Sequence, residues 1–142
     1  MTDPAGRLLV FDHVGNTGAG TQVPAGGIKP GESPERAVLR ELREESGIED
    51  AAIVRKLGET WYVAEPGDVP AGFEEQVHHA FHLRLPRDPE EAIWEWDECS
   101  DGSVPLHRFS LRWVSLDDAA TLLCPIQALW LEPLRVSLRA RS

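Results

Sequence analysis

Cysteine is scarce in this chain. Two thiols in 142 residues, Cys99 and Cys124, lack the spacing of a metal site, and the chain is long enough to bury a core without help from disulfides. Lysine occurs only at positions 29 and 56, and 24 acidic residues against 14 Lys plus Arg leave a formal net charge of -10. That balance argues against a long nucleic-acid partner, whose phosphates need clustered cations to release counterions. Long apolar runs are missing too, so no membrane partner is expected. The start Met-Thr-Asp-Pro-Ala-Gly has neither the basic nor the apolar region of a signal peptide, and the expectation is a cytoplasmic protein with reduced thiols. Repeats and low-complexity tracts are absent. With 42% hydrophobic residues, residues 1–142 are long enough for one domain with a core of its own and too short for two.

What is present is concentrated at residues 26–48, where a glycine-rich turn runs into a short helix. Ser33 is placed to cap that helix, Pro34 fits its first position and Gly47 suits the left-handed residue that ends it, so the helix is predicted over Pro34 to Ser46. Ala37, Val38, Leu39 and Leu42 form the apolar stripe, which leaves Arg40, Glu41, Glu44 and Glu45 on the other side. Three carboxylates on one face at the negative end of a helix repel one another and the macrodipole by a few tenths of a kcal/mol each. Such a cluster calls for a cation. Magnesium and similar hard ions take a few carboxylates together with substrate phosphates. Arg40 is one turn from Glu44 and suited to hold a carboxylate in one rotamer. Glycines 26, 27 and 31 allow the backbone to approach a metal or phosphate closely.

The spacing Gly26, five residues, Glu32, seven residues, Arg40-Glu41-Leu42, one residue, Glu44-Glu45, one residue, Gly47-Ile48 resembles the Nudix box at all nine of its positions. The resemblance implies metal-dependent hydrolysis of the diphosphate bridge in a nucleoside diphosphate linked to another group, with Mg2+ or Mn2+ as cofactor. It implies Glu41, Glu44 and Glu45 as metal ligands, the Gly26 carbonyl as a further ligand, Arg40 as the orienting residue and Glu32 as the brace of the loop. Glu44 is the candidate base within the box. Relatives often draw another carboxylate from a later loop, and Glu98 with Asp101 stands in that position, with His107 as a rival. The alternative reading is a Nudix-fold module that binds or senses nucleotides without cleaving them. The intact set of box carboxylates favours the enzyme.

Elsewhere, periodicity and breakers predict strands over Arg7 to Asp12, Thr21 to Pro24, Ala51 to Ala64, Glu75 to Leu85, Ala92 to Asp97 and His107 to Val114. The third and fourth form a hairpin by position. From Asp117 the chain turns helical, with Pro125 and Pro133 interrupting helices or starting them. Strands before and after one helix imply a mixed sheet covered on both faces. The resemblance sharpens this to an α/β/α sandwich, with the sheet between the box helix and a C-terminal helix.

For substrate binding, Trp61 and Tyr62 are aromatic candidates just past the box, and Arg84 is a candidate phosphate contact on the Glu75 to Leu85 strand. His78 and His82 share that strand's face; plain surface is the blander reading, and a zinc site lacks a third ligand. Trp94 and Trp96 point the same way and read as core patch, dimer contact or stacking platform. The expected partner is a small nucleotide-type molecule. Composition does not choose between a monomer and a homodimer, nor among the nucleoside diphosphate derivatives.

Overall fold

The computed structural model describes residues 1–99 and 107–140, and Asp101 lies outside the described residues. Its elements are β1 (Leu8–His13), α1 (Pro34–Ser46), β2 (Ala52–Val63), β3 (Glu75–Arg84), β4 (Ile93–Asp97), β5 (Arg108–Val114), α2 (Leu116–Leu122), α3 (Pro125–Ala128) and α4 (Leu131–Arg139), with a short 3-10 turn at Thr17–Ala19. The sequence Leu8-Leu9-Val10-Phe11 makes β1 an inner strand. A strand with one wet face alternates, whereas one covered on both sides reads as a continuous apolar run. Leu8 and Val10 pack with Leu116, Ala119, Leu123, Leu131 and Leu134, while Leu9 and Phe11 pack with Leu42, Phe109, Leu111 and Trp113. Two cores therefore share one strand.

β1, β5 and β4 form one antiparallel ladder, and β2 with β3 forms the predicted hairpin. Residues Met1 to Asp3 join the two. The Thr2 amide donates to the Leu83 carbonyl at 2.8 Å and its carbonyl accepts from Leu85 at 2.9 Å, parallel to β3, while the Met1 carbonyl accepts from the Leu9 amide at 3.0 Å. This bridge makes the sheet mixed. α1 packs on β4 and β5, α2 on β1 and α4 on β2, so helices cover both faces as the α/β/α expectation required. No helix among the described residues is long and apolar enough to cross a membrane.

Three expectations change. Thr21 to Pro24 is no strand: it pairs only at Gln22 with Phe11 and at Thr21 with Leu123, since Pro24 has no amide to extend the ladder. Leu39, placed in the apolar stripe, is exposed, because α1 beds on the sheet through Ala37, Val38 and Leu42. The histidines of β3 separate by burial. His82 is fully buried, with Nε2 2.8 Å from Thr2 Oγ1 and Nδ1 2.7 Å from Ser137 Oγ, and it ties the N-terminal bridge to α4. The prolines behave as read: Pro125 opens α3, and Pro133 falls in the first turn of α4, where a missing amide is tolerated.

Leu111, fully buried at the centre of the first core, should cost about 2–5 kcal/mol when replaced by Ala, through lost transfer energy and the cavity left behind. Leu39→Ala should stay within about 0.5 kcal/mol. Urea unfolding of both variants at one pH measures the difference, and equal losses would place Leu39 in the core after all.

Candidate active site

The helix α1 forms as its caps dictate. Ser33 accepts a hydrogen bond from the Arg36 amide, Pro34 occupies the first position, and Gly47 ends the helix at φ 78 with its amide on the Arg43 carbonyl. Glu41, Glu44 and Glu45 are nonetheless buried, at 8%, 7% and 6% exposure, which solvated-surface carboxylates would not be. They face the glycine turn. A methyl group at Gly26 would sit 2.0 Å from the carboxyl carbon of Glu41, so only glycine lets the 25–27 segment lie against that side chain.

One guanidinium organises the cluster. Arg40 donates from Nε and Nη2 to the two oxygens of Glu32 at 2.8 and 2.9 Å, a bidentate fork, and Nη2 also reaches the Gly27 carbonyl at 2.8 Å. Its Nη1 donates to Glu41 at 2.7 Å and to Glu44 at 3.0 Å. Glu32 is thereby the brace between turn and helix. Glu45 points away from Arg40 and accepts from the Ala25 amide at 3.1 Å. One oxygen of each box carboxylate is thus committed to a donor.

The electrostatics follow from that division. The Arg40 fork, helped by the Lys29 amide, holds Glu32 down at about 2. Burial raises Glu41 despite Arg40, and the neighbouring charges of Glu44 and Glu98 add to the effect. Glu45 lacks the arginine, and burial pushes it up to about 8, with Glu41, Glu98 and Glu44 contributing repulsion. Glu98 precedes Cys99, whose amide donates to the Glu44 carbonyl at 3.1 Å, and its charge is felt by Glu41 and Glu45. Three acids, Glu32, Glu41 and Glu44, share one arginine. Among the described residues no three His, Cys, Asp or Glu side chains already converge on a point where a metal would sit.

Gly26 and Glu41 form part of the wall of a cavity of about 760 Å3 that runs between the 23–28 segment, β3, α1 and α4. Phe73, Gln76, His78, Gln127 and Trp130 line it. Trp61, Tyr62 and Arg84 do not. Trp61 is 74% exposed on the edge strand β2, Tyr62 stacks on His78 with ring centroids 5.3 Å apart, and Arg84 lies at the Thr2 end of β3. The structure brings the nine box positions and Glu98 together and leaves these three outside. Gln127 and Trp130 escaped the sequence reading because α3 and α4 reach the turn only through the fold, where the Gln127 Oε1 accepts from the Val23 amide at 3.0 Å. Trp94 and Trp96, read as core, dimer or stacking residues, pack on the first core and donate their indole N–H groups to the Ser46 and Glu44 carbonyls, both at 3.1 Å.

Residues 1–134 match the family model described as the NUDIX domain. The RNA pyrophosphohydrolase of Gluconacetobacter diazotrophicus is 46% identical over 118 residues, covering 64% of this chain and 68% of that one. That of Saccharophagus degradans is 54% identical over 48 residues, where the match spans 34% of this chain and 28% of the relative's length. Among solved structures, the E. coli dihydroneopterin triphosphate pyrophosphohydrolase superposes with a TM-score of 0.66 at 17% identity, over 89% of this chain and 83% of that one, a likeness of fold.

Glu45 links stability to pH. Its folded pKa of about 8 lies above the ordinary glutamate value of 4.5, so between these values the folded state keeps a proton that the unfolded chain has released. Its contribution is fully present below the unfolded value and is lost as pH rises through about 8, by a few kcal/mol at most. The metal-free parent should therefore lose stability between pH 5 and 8.5 relative to Glu45→Gln, which carries no titrating group there. Parallel pH profiles of the two melting temperatures would show that residue 45 is already ionised.

Proposed function

Because the chain belongs to the Nudix family, we propose that it is a metal-dependent pyrophosphohydrolase, cleaving between two phosphates of a nucleotide-type substrate. The observation that carries this reading is the set of buried carboxylates Glu41, Glu44 and Glu45, the first two braced by Arg40, beside a cavity that opens on Gly26 and Glu41.

The donor set fits a hard divalent ion by its chemistry. Each box carboxylate keeps an oxygen beyond the one committed to Arg40 or Ala25, and the surplus of negative charge is what such an ion relieves. Glu41, Glu44 and Glu45 would hold Mg2+ or Mn2+, with the Gly26 carbonyl beside them. When bound, the ion neutralises charge that builds on the phosphoryl oxygens and orients the attacking water. Arg40 fixes the rotamers of Glu41 and Glu44 and locks the 26–27 turn against the helix. Glu32 keeps Arg40 in place. Glu44 and Glu98 are the residues positioned to take the proton from water. The apolar walls of the cavity and its aromatic side chains Phe73 and Trp130 suit the nucleoside part, with Gln76 able to address base edges.

The acid balance of the chain favours a small nucleotide derivative. An RNA end carrying a 5′ polyphosphate is a second reading, supported by the curated relatives named RNA pyrophosphohydrolase. Only the terminal nucleotides would then be gripped, since few cations are available for a longer backbone. Incubation with nucleoside triphosphates, sugar nucleotides, dinucleoside polyphosphates, NADH and a 5′-triphosphorylated oligonucleotide, with magnesium and then manganese, separates these substrates. Cleavage between two phosphates is expected for one class, read by chromatography as a nucleoside monophosphate or its equivalent plus the complementary phosphorylated product, and silence across all of them with intact metal binding would favour the non-catalytic module.

Metal binding itself should depend on pH. Below pH 8 Glu45 would have to give up its proton to act as a ligand, so apparent affinity should rise between pH 6 and 8 and level off above. Calorimetry of Mn2+ binding in buffers of different ionisation enthalpy should detect about one released proton at pH 6.5. Glu45→Gln should bind weakly and release none; an unchanged proton count would remove Glu45 from the ligand set.

A further inference from the structure

Residue 44 is gripped at both ends. Its carboxylate meets Arg40 Nη1, and its carbonyl, one of the last-turn acceptors that α1 cannot satisfy internally, accepts from Trp96 Nε1 at 3.1 Å and from the Cys99 amide at 3.1 Å. The two donors bracket Asp97 and Glu98. Gly47 accommodates the indole: a methyl group there would come within 2.7 Å of the Trp96 ring. The Glu98 amide donates to the His107 carbonyl at 2.9 Å, which extends the β4–β5 pairing as far as Glu98. Residues 96–99 therefore lie across the end of the helix with Glu98 held from both sides.

We propose that Trp96 is a positioning residue, clamping the Glu44 carbonyl together with the Cys99 amide so that the Glu98 carboxylate is delivered to the box carboxylates. Trp94 is its internal control. It caps the Ser46 carbonyl by the same indole chemistry from the same strand, two residues away, but no acidic side chain is bracketed by that bond. A purely structural role would make the two tryptophans equivalent. A positioning role separates them.

This inference rests on the reading of Glu44 and Glu98 as catalytic, and the test is a double-mutant cycle on the whole chain. Trp96→Phe keeps an aromatic ring and deletes the N–H donor. It should lower kcat roughly 10-fold or more with KM nearly unchanged, and weaken Mn2+ binding measured by electron paramagnetic resonance. Trp94→Phe should lower the melting temperature to a similar extent and leave kcat and Mn2+ affinity at parental values. In a Glu98→Gln background, Trp96→Phe should lower kcat far less than it does alone, because the two act through one group. If Trp96→Phe does not fold, Cys99→Pro removes the other donor to the same carbonyl while leaving the indole in place, and the same loss is expected. Full additivity with Glu98→Gln, or equal effects of the two tryptophan variants on kcat, would overturn the inference while the functional reading stands. A parent chain that neither binds Mn2+ nor cleaves any of the substrates screened would take both down.

Discussion

The contacts of Arg40 are the constraint on which the rest of this site depends. A single guanidinium holds Glu32 by a fork, the Gly27 carbonyl, Glu41 and Glu44, and so welds the glycine turn to the last two turns of α1. Arginine suits this work because its planar donors point in several fixed directions at once and its charge persists at any working pH. Lysine would supply one point charge and could not span the turn and the helix together. The glycine at position 26 is a consequence, since the Glu41 carboxylate occupies the space a side chain would need.

The cluster is left underneutralised. Glu32 takes two of the arginine's donors and Glu41 and Glu44 share a third, while Glu45 has only the Ala25 amide, and burial pushes its pKa up to about 8. Burying like charges beside one another costs stability unless protons or a metal compensate. The fold absorbs this cost through two apolar cores on either side of β1, the first of which takes Leu42 from the acidic helix itself.

Placement at the end of α1 couples the site to the sheet. The last-turn carbonyls are capped by tryptophans from β4, which is itself locked to β5 and through it to β1. The position of the carboxylates is thus inherited from a ladder whose strands β1 and β5 bury Leu8 to Phe11, Phe109, Leu111 and Trp113. The cavity, by contrast, is built from segments far apart in sequence: the 23–28 turn, β3, α1, α3 and α4. Its occupant is read from all of them together.

The sequence by itself determined α1 to the residue, because caps, proline and glycine act within one turn and carry their signal locally. The box side of the site was legible for the same reason: nine residues at fixed spacing on a turn and a helix stay neighbours in any fold that keeps the helix. The strands of the hairpin and of β4 and β5 were legible as elements, and Thr21 to Pro24 was not, because isolated bridges leave no periodic signature. Only the tertiary structure decided the rest. It joined Met1 to Asp3 between two ladders, turned Trp94 and Trp96 from a strand pattern into helix caps, moved Trp61, Tyr62 and Arg84 away from the cavity and brought Gln127 and Trp130 to it. Those outcomes depend on which strand faces which helix, a matter of contacts between residues dozens of positions apart that no local pattern records.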